Sequence, residues 1–447
     1  MPDRGAGAAA GVPVGWACPG RSIRRVWSPR GRSAPDACPG ALRVHVAADG
    51  NLARVRVPGG RLHADQLAAL AAAASELGDG GLELTSRGNV QLRGLPAGAE
   101  RELAARLWAA GLLPSETHER VRNVIASTLS GRAEGGRFDL RTLVDELDQG
   151  LCADPALAEL PGRFLFTVDD GRGDVTGFGA DVGLFAVASD TLAVLLGGTD
   201  TGVRLPPAAG AGTALRAARA FLAEYTAQGG TAWRLTELDD GVPRVAHRLR
   251  SALDPAFVGS PGGLADAPAP TRPPVGRIAQ IDGRLALALM VPLGRLTLAQ
   301  VDVLEAAARA GAHEINITPW RTVVVPDLGT GEAERRLAAL TGEGLVADTS
   351  AGWVGVTGCT GRPGCAKALA DVRADANRVH PVAAPGPAGL PVHWVGCERR
   401  CGRPVDRHVE VLATVDGYQV SLDGRPRSRS ATLDETAAAI AAARRGT

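Results

Sequence analysis

Four of the seven cysteines fall in two tight groups, Cys359 and Cys365 as C-x5-C and Cys397 and Cys401 as C-x3-C, with thirty-one residues between Cys365 and Cys397. Four thiolates so arranged call for a metal centre. Zinc knuckles bring their cysteines in C-x2-C pairs on tight turns, and neither spacing is of that kind. An iron–sulfur cluster is larger and tolerates wider loops, its cuboidal 4Fe–4S form taking one thiolate per iron. Gly358, Gly361, Pro363, Gly364 and Gly402 flank the thiols and let backbone pass close to such a group. Zinc binding, or unrelated buried thiols, are the competing readings.

A chain of 447 residues supports two to four domains and a large core. With 45% hydrophobic residues, 22% charged residues and a net charge of +1, it reads as globular and gives no bulk electrostatic case for nucleic acid or a membrane surface. The only lysine is Lys367. Any anionic ligand is therefore held by planar, permanently charged guanidinium groups. Residues 1–36 read as a flexible leader, with Cys18 inside it and Cys38 next to it as bystanders. Arg24-Arg25 invites a twin-arginine reading, but the polar stretch that follows rejects it. No run approaches a membrane span, and the expected location is cytoplasmic, which suits a reducible cluster. Cys152 reads as a packed thiol.

From Ala41 the pattern becomes regular. Leu52 to Val57 alternates as a strand, Pro58-Gly59-Gly60 turns it, and His63 to Leu77 has helical spacing. The same programme returns at an offset of 234, where Val291-Pro292-Leu293-Gly294-Arg295-Leu296 matches Val57 to Leu62. A second echo aligns Leu160-Pro161-Gly162-Arg163-Phe164 with Leu390-Pro391-Val392-His393-Trp394. The chain thus reads as a duplication. Each copy has a small unit (41–112 and 275–346) followed by a larger α/β unit (117–247 and 350–445), with a Pro/Gly/Ala-rich linker at 259–274. Only the second copy carries the four cysteines, which predicts one centre with the first copy binding something beside it.

These features resemble the siroheme-dependent sulfite and nitrite reductase superfamily, and within it the precorrin-3B synthases of the aerobic cobalamin pathway. The residues that carry the likeness are Ala37-Cys38-Pro39-Gly40-Ala41-Leu42, Leu84 to Arg93, Thr357 to Cys365 with Ala368 to Asp371, and Gly396 to Cys401. The resemblance implies an α+β, internally duplicated fold, with two ferredoxin-like half-domains and two larger α/β units around one Fe–S site. It implies Cys359, Cys365, Cys397 and Cys401 as cluster ligands. It also implies Arg87, Asn89, Gln91, Arg122, Asn123 and Arg163 as the residues facing a tetrapyrrole. Guanidinium forks suit its carboxylates, although a single arginine is most often a solvated surface charge.

Two departures weigh against a reductase. Reductases of the superfamily have two basic residues on the strand after the Leu-Pro turn; here Arg163 is kept and Leu165 replaces the second. Between Cys397 and Cys401 stand the bulky, charged Glu398, Arg399 and Arg400. Arg362 and Lys367 lie near the cluster and would raise its potential or pair substrate carboxylates; a helix-start surface charge is the other reading. The reaction implied is oxidation of precorrin-3A to precorrin-3B, with O2 as oxidant and NADH as electron source, delivered directly or through a donor protein. A mononuclear non-haem iron is implied too. Candidate ligands are His63 with Asp65, His408 with Glu410, and His393. The alternatives are a siroheme-dependent sulfite or nitrite reductase, in which Cys401 bridges cluster and haem, and a non-catalytic electron-transfer or tetrapyrrole-binding protein. No glycine fingerprint for a tightly bound nicotinamide is present.

Overall fold

A computed structural model describes residues 36, 38–261, 275–380, 389–404 and 407–445. The leader other than Asp36, and most of the linker, lie outside the described residues. The first copy opens with strands β1 (His45–Ala47), β2 (Gly50–Val55), β3 (Arg61–His63), β4 (Gly81–Leu84) and β5 (Val90–Leu95) and helices α1 (Ala64–Leu77) and α2 (Glu100–Ala109). Its larger unit holds β6 (Val124–Ala126), α3 (Arg141–Ala153), β7 (Phe166–Asp169), β8 (Val182–Ala188), β9 (Thr191–Leu196), β10 (Thr199–Leu205), α4 (Gly210–Ala227) and α5 (Gly241–Ser251). The second copy repeats the series with β11 (Gly276–Ala279), β12 (Leu285–Met290), β13 (Arg295–Thr297), α6 (Leu298–Ala310), β14 (Glu314–Ile317), β15 (Thr322–Leu328) and α7 (Thr330–Gly342). Its larger unit holds β16 (Val356–Gly358), α8 (Val372–Val379), β17 (Val392–Val395), β18 (Val409–Thr414), β19 (Gly417–Leu422), β20 (Arg425–Ser430) and α9 (Leu433–Arg444).

The repeat extends to side chains. Gln66 in the first turn of α1 accepts from the His63 N–H and donates to the Ala110 carbonyl. Gln300 in α6 accepts from the Thr297 N–H and donates to the Glu343 carbonyl. One polar side chain thus both caps its helix and ties down the next one.

The small units are not separate, which the repeat alone did not reveal. Each contributes a strand to the other, giving two five-stranded sheets of order β1-β2-β5-β4-β13 and β11-β12-β15-β14-β3. The exchanged strands carry Leu62 and Leu296, 0% and 1% exposed, into one core shared by both half-domains. Each leucine buried there contributes about 2 kcal/mol, and neither half-domain closes its sheet without the other.

The larger units share one topology, β10-β9-β8-β7-β6 and β16-β17-β18-β19-β20. In both, the first three strands are parallel and the remainder antiparallel. Register corrects the second sequence echo. β6 pairs Val124 with Phe166, and β16 pairs Val356 with Val392. Phe166 is therefore the counterpart of Val392, and aligning the two Leu-Pro turns misplaces the strands by four residues. Arg163 lies in the turn before β7, where the Phe164 N–H donates to the Pro161 carbonyl. Among the described residues, no helix is long and apolar enough to cross a membrane.

Candidate functional site

The cysteines follow the C-terminal ends of two adjacent parallel strands. Gly358, the last residue of β16, is in register with Trp394 on β17. Cys359 and Cys365 leave the first strand, and Cys397 and Cys401 the second. The loops are knitted together: the Cys359 N–H donates to the Trp394 carbonyl at 2.9 Å and the Leu369 N–H to the Gly396 carbonyl at 2.8 Å. A Cβ on Gly396 would sit 2.7 Å from that of Ala368, so only glycine lets the loops close. The Gly396 N–H donates to Cys359 Sγ at 3.2 Å. Burial pushes the Cys359 thiol above its ordinary pKa; the Gly396 and Gly361 N–H groups oppose this, and nearby Cys401 and Cys365 add to the rise. Thiols that repel each other's charge are stabilised as thiolates when a cation lies between them.

Spacing bears on which cation. Zn–S bonds of about 2.3 Å put tetrahedral sulfurs roughly 3.8 Å apart. Among the described residues, the only group of three or more metal-type side chains with all ligand atoms within 4.8 Å is Asp169, Asp170 and Asp174. No three of the cysteine sulfurs therefore lie within 4.8 Å of one another, and they do not form a preformed single-ion cage. The aspartates are internally satisfied: Asp169 accepts from the Gly171, Gly173, Val175 and Thr176 N–H groups and the Thr176 hydroxyl.

The first copy presents arginines with few counter-charges. Arg87 donates to the Gly162 and Arg163 carbonyls at 3.4 and 3.0 Å. Arg163 lies 4.6 Å over the Trp233 ring, a cation–π contact. Arg54 donates to Gln91. Among the described residues Arg56, 2% exposed, reaches only the Arg120 and Pro39 carbonyls, and its Nη1 is buried without a partner there. Arg234 is paired with Asp181 at 2.7 Å. The other four form no ion pair among the described residues. Burial, reinforced by their mutual repulsion, lowers Arg56 to about 9; Arg87 falls to about 10 through burial and the charge of Arg234. So much desolvated positive charge favours an incoming anion.

The remaining sequence candidates are part of the frame. Asn89 and Asn123 are buried and hydrogen-bonded to each other at 3.3 Å; Asn89 also accepts from the Val57 N–H, and Asn123 donates to the Gly162 carbonyl. Gln91 bridges Arg54 to Glu83. Arg122, 4% exposed, is bidentate to Asp148 at 2.8 and 2.7 Å and donates to the Leu112 carbonyl, so its guanidinium is turned into the fold. Sequence reasoning passed over Arg54 and Arg56. Their signal was an Arg-x-Arg on one face of an alternating strand with no acid to neutralise it.

Glu83 bolts the two copies together. It lies 2.6 Å from Arg373 on α8, 3.6 Å from Arg295 and 3.9 Å from Arg93. Burial works against ionisation, but Arg373, Arg93 and Arg295 hold this carboxyl below its ordinary pKa. Arg93 also donates to the carbonyl of Gly364, next to Cys365, at 2.9 Å. Arg362 and Lys367 are exposed on the cysteine loop.

Among the described residues, no histidine and carboxylate candidates converge as a group of three within 4.8 Å. Asp65 pairs with Arg309 on the surface. Glu410 is held by Arg400 at 2.9 Å. Both ring nitrogens of His393 are engaged, Nδ1 with the Thr357 hydroxyl at 2.9 Å and Nε2 with the Cys401 carbonyl at 3.0 Å. The mononuclear iron implied by resemblance has no matching ligand set among the described residues.

The Nitrite/Sulfite reductase ferredoxin-like half domain matches twice, at residues 45–110 and 278–342, on the two small units that exchange strands. Both small units thus match the half domain found in nitrite and sulfite reductases. The chain is an enzyme, as are the relatives that follow. It is 29% identical over 427 residues to a precorrin-3B synthase from Sinorhizobium sp, covering 92% of this chain and 88% of that protein. It is 27% identical over 406 residues to the ferredoxin–nitrite reductase of Synechococcus elongatus, covering 84% and 77%. The solved structure of the Mycobacterium tuberculosis NirA protein shares the fold, with a TM-score of 0.69 and 22% identity over 88% of this chain and 79% of that one.

Proposed function

We propose that this protein acts on an acidic tetrapyrrole as a precorrin-3B synthase: one atom of O2 hydroxylates the meso carbon of precorrin-3A between rings A and D, and the ring A acetate closes a lactone. The other oxygen atom leaves as water, taking two electrons from NADH and two protons, so that atoms and electrons balance. The observation that carries this reading is the set of four guanidiniums in the first copy, Arg54, Arg56, Arg87 and Arg163, without carboxylate partners among the described residues. Each would form a charge-assisted bond to a substrate carboxylate.

Cys359, Cys365, Cys397 and Cys401 would hold a 4Fe–4S cluster, which supplies single-electron transfer. The chain's own residues do the rest. The Gly396 N–H donates to a ligand sulfur, the interlocked loops fix its position, and Glu83 with Arg373 fixes the distance between the cluster unit and the arginine face. Leu165, where reductases have a second basic group, is buried with Ile125, Val175 and Ala180 and packs near Trp320. A buried apolar side chain at that position offers no proton donor, which a site gathering protons onto a small anion needs.

The test is anaerobic purification followed by assay with precorrin-3A, NADH and air. A product one oxygen atom heavier supports the proposal. Release of an iron isobacteriochlorin, together with viologen-linked reduction of nitrite or sulfite, would support the siroheme reading that the nitrite reductase relatives keep open.

A further inference from the structure

Arg321 occupies a backbone position that its counterpart in the other copy fills with glycine. The registers fix the equivalence: β4 and β5 pair Leu84 with Val90, and β14 and β15 pair Ile317 with Val323. The Gly88 and Arg321 N–H groups each donate to the threonine carbonyl three residues earlier, at 3.2 and 3.0 Å. The φ angles are +67° at Gly88 and +60° at Arg321. An L side chain is disfavoured in this left-handed region. The turn itself gives no reason for an arginine, since glycine serves the same turn in the first copy.

The side chain is given room from two directions. A Cβ on Gly294 would lie 2.6 Å from Arg321 Cδ, so a larger residue there would displace the stem. A Cβ on Gly402 would lie 3.8 Å from Nη2, which places the guanidinium against the residue that follows Cys401. The Arg321 side chain forms no hydrogen bond or ion pair among the described residues. The charges that act on it are Glu83, already paired with Arg373 at 2.6 Å, and Arg373 itself. Burial holds its pKa below the ordinary arginine range. A half-buried cation on a left-handed backbone position, seated between two glycines and without a side-chain partner among the described residues, is arranged for a ligand that comes from outside the chain.

We propose that Arg321 anchors a carboxylate of the tetrapyrrole from the second copy, so that the macrocycle is gripped by the Arg54, Arg56, Arg87 and Arg163 face on one side and by Arg321 beside the Cys401 loop on the other. This rests on the tetrapyrrole reading above and adds a contact from the copy that carries the cysteines.

The experiment uses the full chain with its iron loaded and compares the parent with Arg321→Gly, Arg321→Lys and Arg87→Ala. Urea midpoints are measured, and binding of uroporphyrin III, an octacarboxylate, and of its octamethyl ester is followed by fluorescence. Arg321→Gly is expected to have a midpoint at or above the parent's, because the backbone strain is relieved, and to bind uroporphyrin about tenfold more weakly. Arg321→Lys should recover part of that loss, and the ester should not distinguish the proteins. Parent-like uroporphyrin affinity in Arg321→Gly, with Arg87→Ala weakened, overturns this inference and leaves the tetrapyrrole reading standing. A large fall in the midpoint of Arg321→Gly would assign the side chain to the fold and overturn it as well. If the parent binds no uroporphyrin, the reading beneath it falls, and the inference falls with it.

Discussion

Ser127 and Cys359 stand at the same place in two copies of one sheet, each the first residue after the leading strand. The Ser127 N–H donates to the Val168 carbonyl at 3.1 Å, and the Cys359 N–H donates to the Trp394 carbonyl at 2.9 Å. The Asp170 N–H donates to Ser127 Oγ at 3.1 Å, and the Gly396 N–H donates to Cys359 Sγ at 3.2 Å. The backbone scheme is common to both copies; the atom it cradles is oxygen in one and sulfur in the other. In the first copy the hydroxyl also donates to Asp174 at 2.6 Å, and the loop fills with carboxylates satisfied by its own N–H groups. In the second copy, Gly396 takes the place of Asp170 and the two loops close on each other. A duplicated scaffold thus has one half whose loop is satisfied by its own carboxylates and one half whose cradled atom is a thiol.

Several changes would break or sharpen this contrast. The largest effect is expected for Cys359→Ser, which gives the second copy the atom of the first. Iron and sulfide should be lost together with turnover, as measured by metal analysis and the visible spectrum; retention of full cluster absorbance would remove Cys359 from the ligand set. Glu83→Ala should come next. Removing one partner from a buried charge network costs about 3–5 kcal/mol, and a urea melt would show it. A change below 1 kcal/mol would mean that Glu83 does not bolt the copies together. Arg54→Met should weaken tetrapyrrole binding by about ten- to a hundredfold while leaving the melt nearly unchanged, since its only partner is Gln91. Equal binding would detach that guanidinium from the anion-binding face.

The smallest effect separates the larger units by acid. His380 in the second copy accepts from Trp394 Nε1 at 2.9 Å, and burial lowers its pKa to about 3. Below its unfolded value the unfolded chain takes up a proton that the folded chain refuses. The stability this histidine provides above pH 6.5 is therefore lost progressively towards pH 3, by about 2 kcal/mol at pH 5. Asp174 in the first copy runs the opposite way. Burial and the charge of Asp169 raise it to about 6, so between pH 6 and 4 the folded state holds the proton and gains stability. Hydrogen exchange at pH 7 and pH 5, corrected for intrinsic rates, should show the cysteine-bearing unit loosening while the first unit does not. His380→Phe should flatten the difference, and equal loosening of both units would contradict the assignment.

What the sequence made legible was local. The cysteines, the repeat at an offset of 234 and the small-unit strands are carried by neighbouring residues, so spacing and alternation suffice to read them. The exchanged strands were not legible, because β3 and β13 are three-residue segments after a Pro-x-Gly turn, and nothing local says which sheet they join. The Leu-Pro echo misled because four residues intervene before β7 but not before β17, and only pairing register reveals it. Arg122 looked like a binding residue beside an asparagine on an apolar strand; its partner, Asp148, lies on a helix that the strand pattern could not bring near. Arg321 was passed over for the complementary reason, since its left-handed backbone is visible only in the fold.

The central claim is that the second copy's four thiols, and nothing in the first copy, hold an iron–sulfur cluster. The direct measurement is iron, sulfide and zinc per chain in anaerobically prepared protein, run beside Cys359→Ser and Ser127→Ala. The expected result is about four iron and four sulfide in the parent and in Ser127→Ala, and almost none in Cys359→Ser. Zinc in place of iron, or iron that survives loss of the Cys359 thiol, would contradict it.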